Sequence, residues 1–291
     1  MRSTPAPHGI PTLLTVGTLV AASLVVAALG STPRAVGATE ALGAVRSPGE
    51  QAFVASHRGG AVDAPENTLP AVAAAFDAGF AYVEVDVALS RDRVPVLLHD
   101  PTVDRTTDGT GAVADLTWAE LARLDAGAWF SSSHAGTRIP RFEEFLDLVV
   151  VREGRALVEL KGEWDAEAAA SVVGAVEARG LDRSITVASF DARTLALVGA
   201  ASTVLPRMMI LRTLPDDIVV AASTAGVRGV IASRRAVLDR PEVVAELHDA
   251  GVRIAVYTLN SDDEWSEVTE LGVDGIITDD PTGLERWQRT A

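Results

Sequence analysis

Cysteine is absent from this 291-residue chain. Its absence excludes disulfides, thiol nucleophiles and thiolate zinc sites. It does not exclude export, because a mature chain of about 250 residues buries enough surface to fold without covalent staples. Basic residues are in deficit: 25 Lys and Arg stand against 40 Asp and Glu, a formal net charge of −15. An acidic surface repels nucleic acid, so no nucleic-acid partner is expected, and an anionic substrate would need locally placed cations. Histidine is scarce, with five in all. No glycine-rich dinucleotide fingerprint follows the first apolar run from Phe53, which counts against an open nucleotide-binding sheet.

Residues 10–30 carry no charge and follow Arg2. A positive end before an apolar run is the pattern of a secretory signal. Val36 and Ala38 occupy the −3 and −1 positions of a cleavage point before Thr39. The same run is long enough to span a bilayer uncleaved. Residues 1–38 are therefore read as a signal peptide or membrane anchor. Either role places the rest of the chain outside the cytoplasm, secreted or tethered through 10–30. Without a cysteine there is no lipoprotein anchor. Residues 39–52 read as a linker, and 53–291 as one folded domain. The oligomeric state is not legible.

From Phe53 the chain alternates β-like runs with helical ones. The runs are FVASH (53–57), AYVEVDV (81–87), ALVELK (156–161), SITVAS (184–189), RMMIL (207–211), GVIAS (229–233), RIAVYT (253–258) and GIIT (275–278). Between them lie helical stretches such as 69–78, 165–179 and 262–271, with Gly79, Gly180, Gly251 and Gly272 as stop signals before the next strand. This alternation predicts an α/β fold, a (β/α)8 TIM barrel, with a doubly wound sheet as the alternative. One extension breaks the rhythm. VPVLLHD (94–100) follows the second strand, and a Thr-, Asp- and Gly-rich stretch from Pro101 to Pro140 holds a short helix at 118–124. A small insertion there would lie on the active face of a barrel.

Four clusters carry chemistry. His57-Arg58-Gly59 closes the first strand. Glu84 and Asp86 stand two apart on the second, so both carboxylates face one side. His99-Asp100 lies in the extension, and Glu159 and Lys161 share a face of the third barrel strand. Buried charges are costly unless paired or bound to a metal. Three carboxylates from two strands make a hard oxygen site suited to a divalent ion, Mg2+ or Ca2+, rather than zinc. Two histidines beside such a cluster can exchange protons near neutral pH. Arg58 offers a planar fork to a phosphate and Lys161 a point charge. His8 lies in the leader, and His134 and His248 read as solvated or structural.

In order and spacing these clusters resemble the glycerophosphodiester phosphodiesterase family, in its short bacterial form. The likeness covers HRG (57–59), ENT (66–68), EVDV (84–87), VPVLLHD (94–100) and DRTTDGTG (104–111). It continues through LDAGAWF (124–130), IPRFEEFL (139–146), VELK (158–161), SF (189–190), YTLN (257–260) and GVDGIITDDP (272–281). The resemblance implies a TIM barrel with an insertion after its second strand. It also implies metal-dependent hydrolysis of glycerophosphodiesters, such as glycerophosphocholine or glycerophosphoethanolamine, to glycerol 3-phosphate and an alcohol. Carried over, Glu84, Asp86 and Glu159 would bind the metal, and His57 and His99 would be the acid–base pair. Arg58 and Lys161 would hold phosphate oxygens, and Glu66 and Asn67 would support the site or contact substrate. Phe190 and Tyr257 would line the alcohol side, where the family usually has tryptophan in place of Tyr257. Two alternatives stand beside this reading: a phospholipase-D-like activity on lysophospholipids or sphingomyelin, and a non-catalytic binding module.

Overall fold

A computed structural model describes residues 45–47 and 49–290. The proposed leader, 1–38, and residues 39–44 and 48 of the proposed linker lie outside the described residues. No helix among the described residues is long and apolar enough to cross a membrane.

Eight parallel strands close into a barrel. They are β1 (Phe53–Ser56), β2 (Tyr82–Leu89), β4 (Ala156–Leu160), β5 (Ile185–Ser189), β6 (Arg207–Leu211), β7 (Gly229–Ser233), β8 (Arg253–Tyr257) and β9 (Gly275–Thr278). They pair in chain order, and β1 closes the ring against both β9 and β2. The eight apolar runs of the sequence are these eight strands. A ninth, β3 (Pro95–Leu97), runs antiparallel to the end of β2. It lies in the extension, and the turn that reverses the chain is built by Ser90, whose hydroxyl donates to Asp92, and by Arg93 at φ 67°.

Alternation along each strand sorts the core. Val83, Val85 and Val87 of β2 and Ala156, Val158 and Leu160 of β4 point outward and join the layer under the helices. Ala55, Tyr82, Leu157, Ala188, Met208, Ile210, Ile231, Ala255 and Ile277 fill the barrel interior. The inward positions nearest the C-terminal ends of β2 and β4 are instead Glu84, Asp86 and Glu159. Outside the barrel, α1 (Leu69–Ala78) starts at Thr68, whose hydroxyl accepts from Ala71 N, and stops at Gly79. All four glycines expected to end helices have positive φ, between 66° and 87°, the left-handed conformation that caps a helix.

The insertion between β2 and α3 (Phe142–Arg152) has a small core of its own. Val96, Leu98, Val103, Val113, Leu121, Ala126 and Ile139 pack together over Ala88, and α2 (Trp118–Leu121) braces them behind a Thr117–Glu120 capping box. This satellite holds His99, Asp100 and Arg105 beside the C-terminal mouth of the barrel. At the other end, Asp274 accepts from Ile254 N, His248 Nε2 and Arg46 N. His248 is thus a structural residue at the end of the barrel away from the chemistry, and Arg46 ties the described start of the chain to the barrel floor.

Candidate active site

Register alone brings the acidic residues together. Asp86 stands opposite Glu159 across β2 and β4, and Glu84 lies two residues back on the same inward face. Ser56 pairs with Val83 on one side and with Thr278 on the other. The next residues up, His57, Glu84 and Asp279, therefore meet at the barrel mouth. His57 Nδ1 is 2.6 Å from Asp279 Oδ1, and its Nε2 is 4.0 Å from Glu84 Oε2.

The HRG segment forms a tight 3-10 turn rather than the last step of the strand. Arg58 sits at φ 54°, a left-handed conformation that costs a non-glycine residue about 1–3 kcal/mol. The contacts that hold it belong to the site: Arg58 N donates to Glu84 Oε2 at 2.8 Å, and Asn67 N donates to Arg58 O. Gly59, at φ 85°, lies against α1, and a Cβ there would stand 2.9 Å from Val72 N. Only glycine lets the turn approach the helix this closely.

Around the carboxylates the predicted residues converge. Asn67 clamps Asp86 reciprocally, Nδ2 donating to Oδ2 and Asp86 N donating to Oδ1, both at 2.9 Å. Lys161 Nζ lies 2.9 Å from Glu159 and 3.4 Å from Asp86 Oδ1, and Arg58 Nε lies 3.4 Å from Asp86 Oδ2. Arg58 also donates to Glu66 at 2.7 Å. Glu66 in turn receives two bonds from Arg105, which forks onto Asp100. Asp100 Oδ1 lies 2.6 Å from His99 Nδ1.

The three inward carboxylates offer oxygens within 4.8 Å of one another. Asp86 is fully buried, and its Oδ1 accepts no hydrogen bond among the described residues. Burial, and next the charge of Asp86, push Glu84 up to about 8, and the same two causes raise Glu159. Burial also opposes the charge of Asp86, but Lys161, Arg58 and His99 outweigh it and hold its pKa low. Crowded, buried, oxygen-only donors with an unsatisfied acceptor fit a hard divalent cation. The chelating set would be Glu84, Asp86 and Glu159.

The histidines differ. Burial works against a charged His57, yet the Asp279 hydrogen bond and Glu84 prevail and raise its pKa. His99 is lowered, by burial first, against the pull of Asp86 and Asp100. The partners explain the contrast. Asp279 is otherwise held by a neutral amide, Asn260 Nδ2 at 2.8 Å, so its charge is free to stabilise an imidazolium. Asp100 already serves Arg105, which lowers its pKa strongly.

A cavity of about 200 Å³ opens over this centre, its lining including His57, Glu159, Lys161, Phe190, Arg212 and Tyr257. Phe190 and Tyr257 meet edge to face with ring centroids 6.0 Å apart. A second cleft, of about 480 Å³, lies on the insertion side and shares His99 and Lys161 with the first. Every residue given a candidate site role in the sequence thus falls in or directly behind one centre. Reading by motif assigned no role to Asp279, Asn260, Asp100, Arg105 or Arg212. The available signal was position: Asp279 and Arg212 each directly follow a barrel strand, as His57 and Lys161 do.

The profile of the "Glycerophosphoryl diester phosphodiesterase family" matches residues 57–282. A glycerophosphodiester phosphodiesterase of Caldanaerobacter subterraneus is 30% identical over 235 residues, covering 80% of this chain and 96% of that one. Among solved structures, a glycerophosphodiester phosphodiesterase of Agrobacterium tumefaciens superposes with a TM-score of 0.69 at 31% identity, covering 79% of this chain and 97% of the other. An Oleispira antarctica phosphodiesterase in complex with the product sn-glycerol-3-phosphate gives a TM-score of 0.74 at 25% identity, covering 81% and 96%.

Proposed function

The chain belongs to the glycerophosphoryl diester phosphodiesterase family and is a phosphoric diester hydrolase, and on that premise we propose how it works: it hydrolyses glycerophosphodiesters to sn-glycerol 3-phosphate and an alcohol, with His57 as acid and His99 as base beside a Mg2+ or Ca2+ ion. The observation that carries this reading is the meeting of two aspartate-paired histidines with three inward carboxylates at one barrel mouth. A divalent ion held by Glu84, Asp86 and Glu159 would neutralise phosphate charge as a Lewis acid. Arg58 and Lys161 add fixed positive charge beside it, where transition-state charge develops. Each histidine has its Nδ1 taken by an aspartate, which leaves Nε2 for the reacting groups. His99, whose pKa is lowered, is the base that accepts the proton of the attacking oxygen. His57, whose pKa Asp279 raises, is the acid that gives one to the departing alkoxide.

Phosphorus NMR of the purified protein with a glycerophosphodiester should show glycerol 3-phosphate accumulating. A cyclic glycerol phosphate appearing first would identify the neighbouring glycerol hydroxyl as the attacking group, and its absence would identify water. No phosphomonoester at all would remove the activity.

The division of roles has its own pH signature. With the acid raised and the base lowered, kcat should plateau between the two values, falling below the His99 pKa and above the His57 pKa. Asp279→Asn removes the charge that holds the imidazolium, so the alkaline limb should move to lower pH while the acidic limb stays. Asp100→Asn should act on the acidic limb. An alkaline limb unmoved by Asp279→Asn would overturn the assignment of His57 as the acid.

A further inference from the structure

Arg212 stands apart from the other cations of the site. It follows β6 at the barrel mouth and is exposed. Its guanidinium carbon lies 4.2 Å from the centroid of Phe190, stacked on the ring, and it lines the same cavity as His57, Lys161 and Tyr257. Arg58, Lys161 and Arg105 are all tied to carboxylates. Among the described residues, the Arg212 side chain has neither a hydrogen bond nor an ion pair. Phe190 holds it at the wall without neutralising it, and stacking leaves the edge of the guanidinium fork free to donate. In a chain of net charge −15, an uncommitted cation facing the cavity is a local exception to the field of the protein.

The ring face it covers is also the surface that a quaternary ammonium would seek. With Arg212 on Phe190, a cationic head group loses that face and meets like charge. A head group bearing a carboxylate or phosphate gains two donors. We propose that Arg212 is a specificity-determining residue that selects phosphodiesters whose alcohol portion is itself anionic, and disfavours cationic alcohols such as choline. This rests on the phosphodiesterase reading of the same site and adds to it the charge of the preferred head group.

The test uses three esters of glycerol 3-phosphate: with choline, with glycerol, and with glycerol bearing a terminal phosphomonoester. For the wild-type protein, kcat/KM should rise in that order. Arg212→Ala should lower kcat/KM for the anionic ester by about two- to fivefold, the scale of one exposed charge contact. It should lower the glycerol ester by a smaller factor and raise the choline ester relative to both by freeing Phe190. Arg212→Lys should retain part of the preference. The wild-type advantage of the anionic ester should shrink as salt is added. Equal effects of Arg212→Ala on all three esters, or wild-type preference for choline, would overturn the inference while leaving the phosphodiesterase reading intact. Failure of the wild type to turn over any of the three would overturn both.

Discussion

Replacing either histidine by alanine should lower kcat by about 10²–10⁴ with little loss of thermal stability. The geometry explains why the fold survives. Without His57, Asp279 keeps its bonds with Asn260, and without His99, Asp100 keeps its fork from Arg105. Neither substitution strands a buried charge. The two losses should nevertheless differ in kind. A nitrophenyl ester of glycerol phosphate has a leaving group that departs without a proton. On that substrate His57→Ala should recover most of its activity, because the acid is no longer needed. His99→Ala should stay slow, because the attacking oxygen still requires a base. The double variant should be little worse than the worse single one on the natural diester, since residues acting on one transition state are not additive. Equal rescue of both variants would remove the division of roles, and full activity in either on the natural diester would remove that histidine from the chemistry. Steady-state kinetics with a melting curve for each variant is sufficient to decide.

The barrel was legible because each strand is buried on both faces and reads as a short apolar run, and because a glycine in the left-handed conformation ends the helix before several of them. The carboxylate cluster was legible for a related reason. Glu84 and Asp86 interrupt an alternation of valines, and charge on the inward face of an otherwise apolar strand demands a purpose. The partner of His57 was harder to see. Asp279 lies 222 residues away and becomes a neighbour only because β1 and β9 close the ring. Once closure is assumed, the register Ser56 to Thr278 puts His57 and Asp279 side by side, so this pairing could have been derived. The relay from Arg58 through Glu66, Arg105 and Asp100 to His99 could not. It crosses from the first barrel loop to an irregular insertion whose path has no period to read. Arg212 was hidden for another reason. It lies outside every matched motif, and a single arginine after a strand is common on acidic proteins. What marks it is the ring beneath it and the missing carboxylate, which are tertiary facts.

Chelation should abolish turnover, and Mg2+ or Ca2+ should restore it. Two substitutions in the carboxylate cluster should separate metal binding from stability. Glu84→Gln and Asp86→Asn both remove a ligand charge, so each should lose activity by orders of magnitude. Their effects on the metal-free fold should have opposite signs. The carboxyl of Glu84 is pushed up to about 8 in the folded protein by burial and by Asp86. A group whose folded pKa lies above its unfolded value adds stability below the unfolded value and loses it as pH rises towards the folded one. Metal-free protein should therefore weaken between about pH 4.5 and 8 on account of Glu84. Glutamine fills the same space without that loss, so near pH 8 metal-free Glu84→Gln should melt about 2–4 °C higher than wild type, the shift given by ~1 kcal/mol in a domain of this size. Asp86 is the reverse case. Its pKa is depressed because Lys161, Arg58 and His99 overcome its burial, so its contribution is present above the unfolded carboxyl pKa and is lost on acidification. Asp86→Asn leaves Arg58 and Lys161 with one carboxylate fewer and should melt lower at neutral pH. Added metal should then raise the wild-type melting temperature, as binding to the folded state alone requires, and should move neither variant appreciably. Calorimetry with and without EDTA reads all three responses. A wild-type melting temperature indifferent to metal, or a Glu84→Gln protein as destabilised as Asp86→Asn, would show that these carboxylates are not held apart for a cation. The opposed signs follow from one arrangement. Lys161, Arg58 and His99 favour the charged form of Asp86, while burial and Asp86 disfavour charge on Glu84 and Glu159, a penalty that a bound dication would offset.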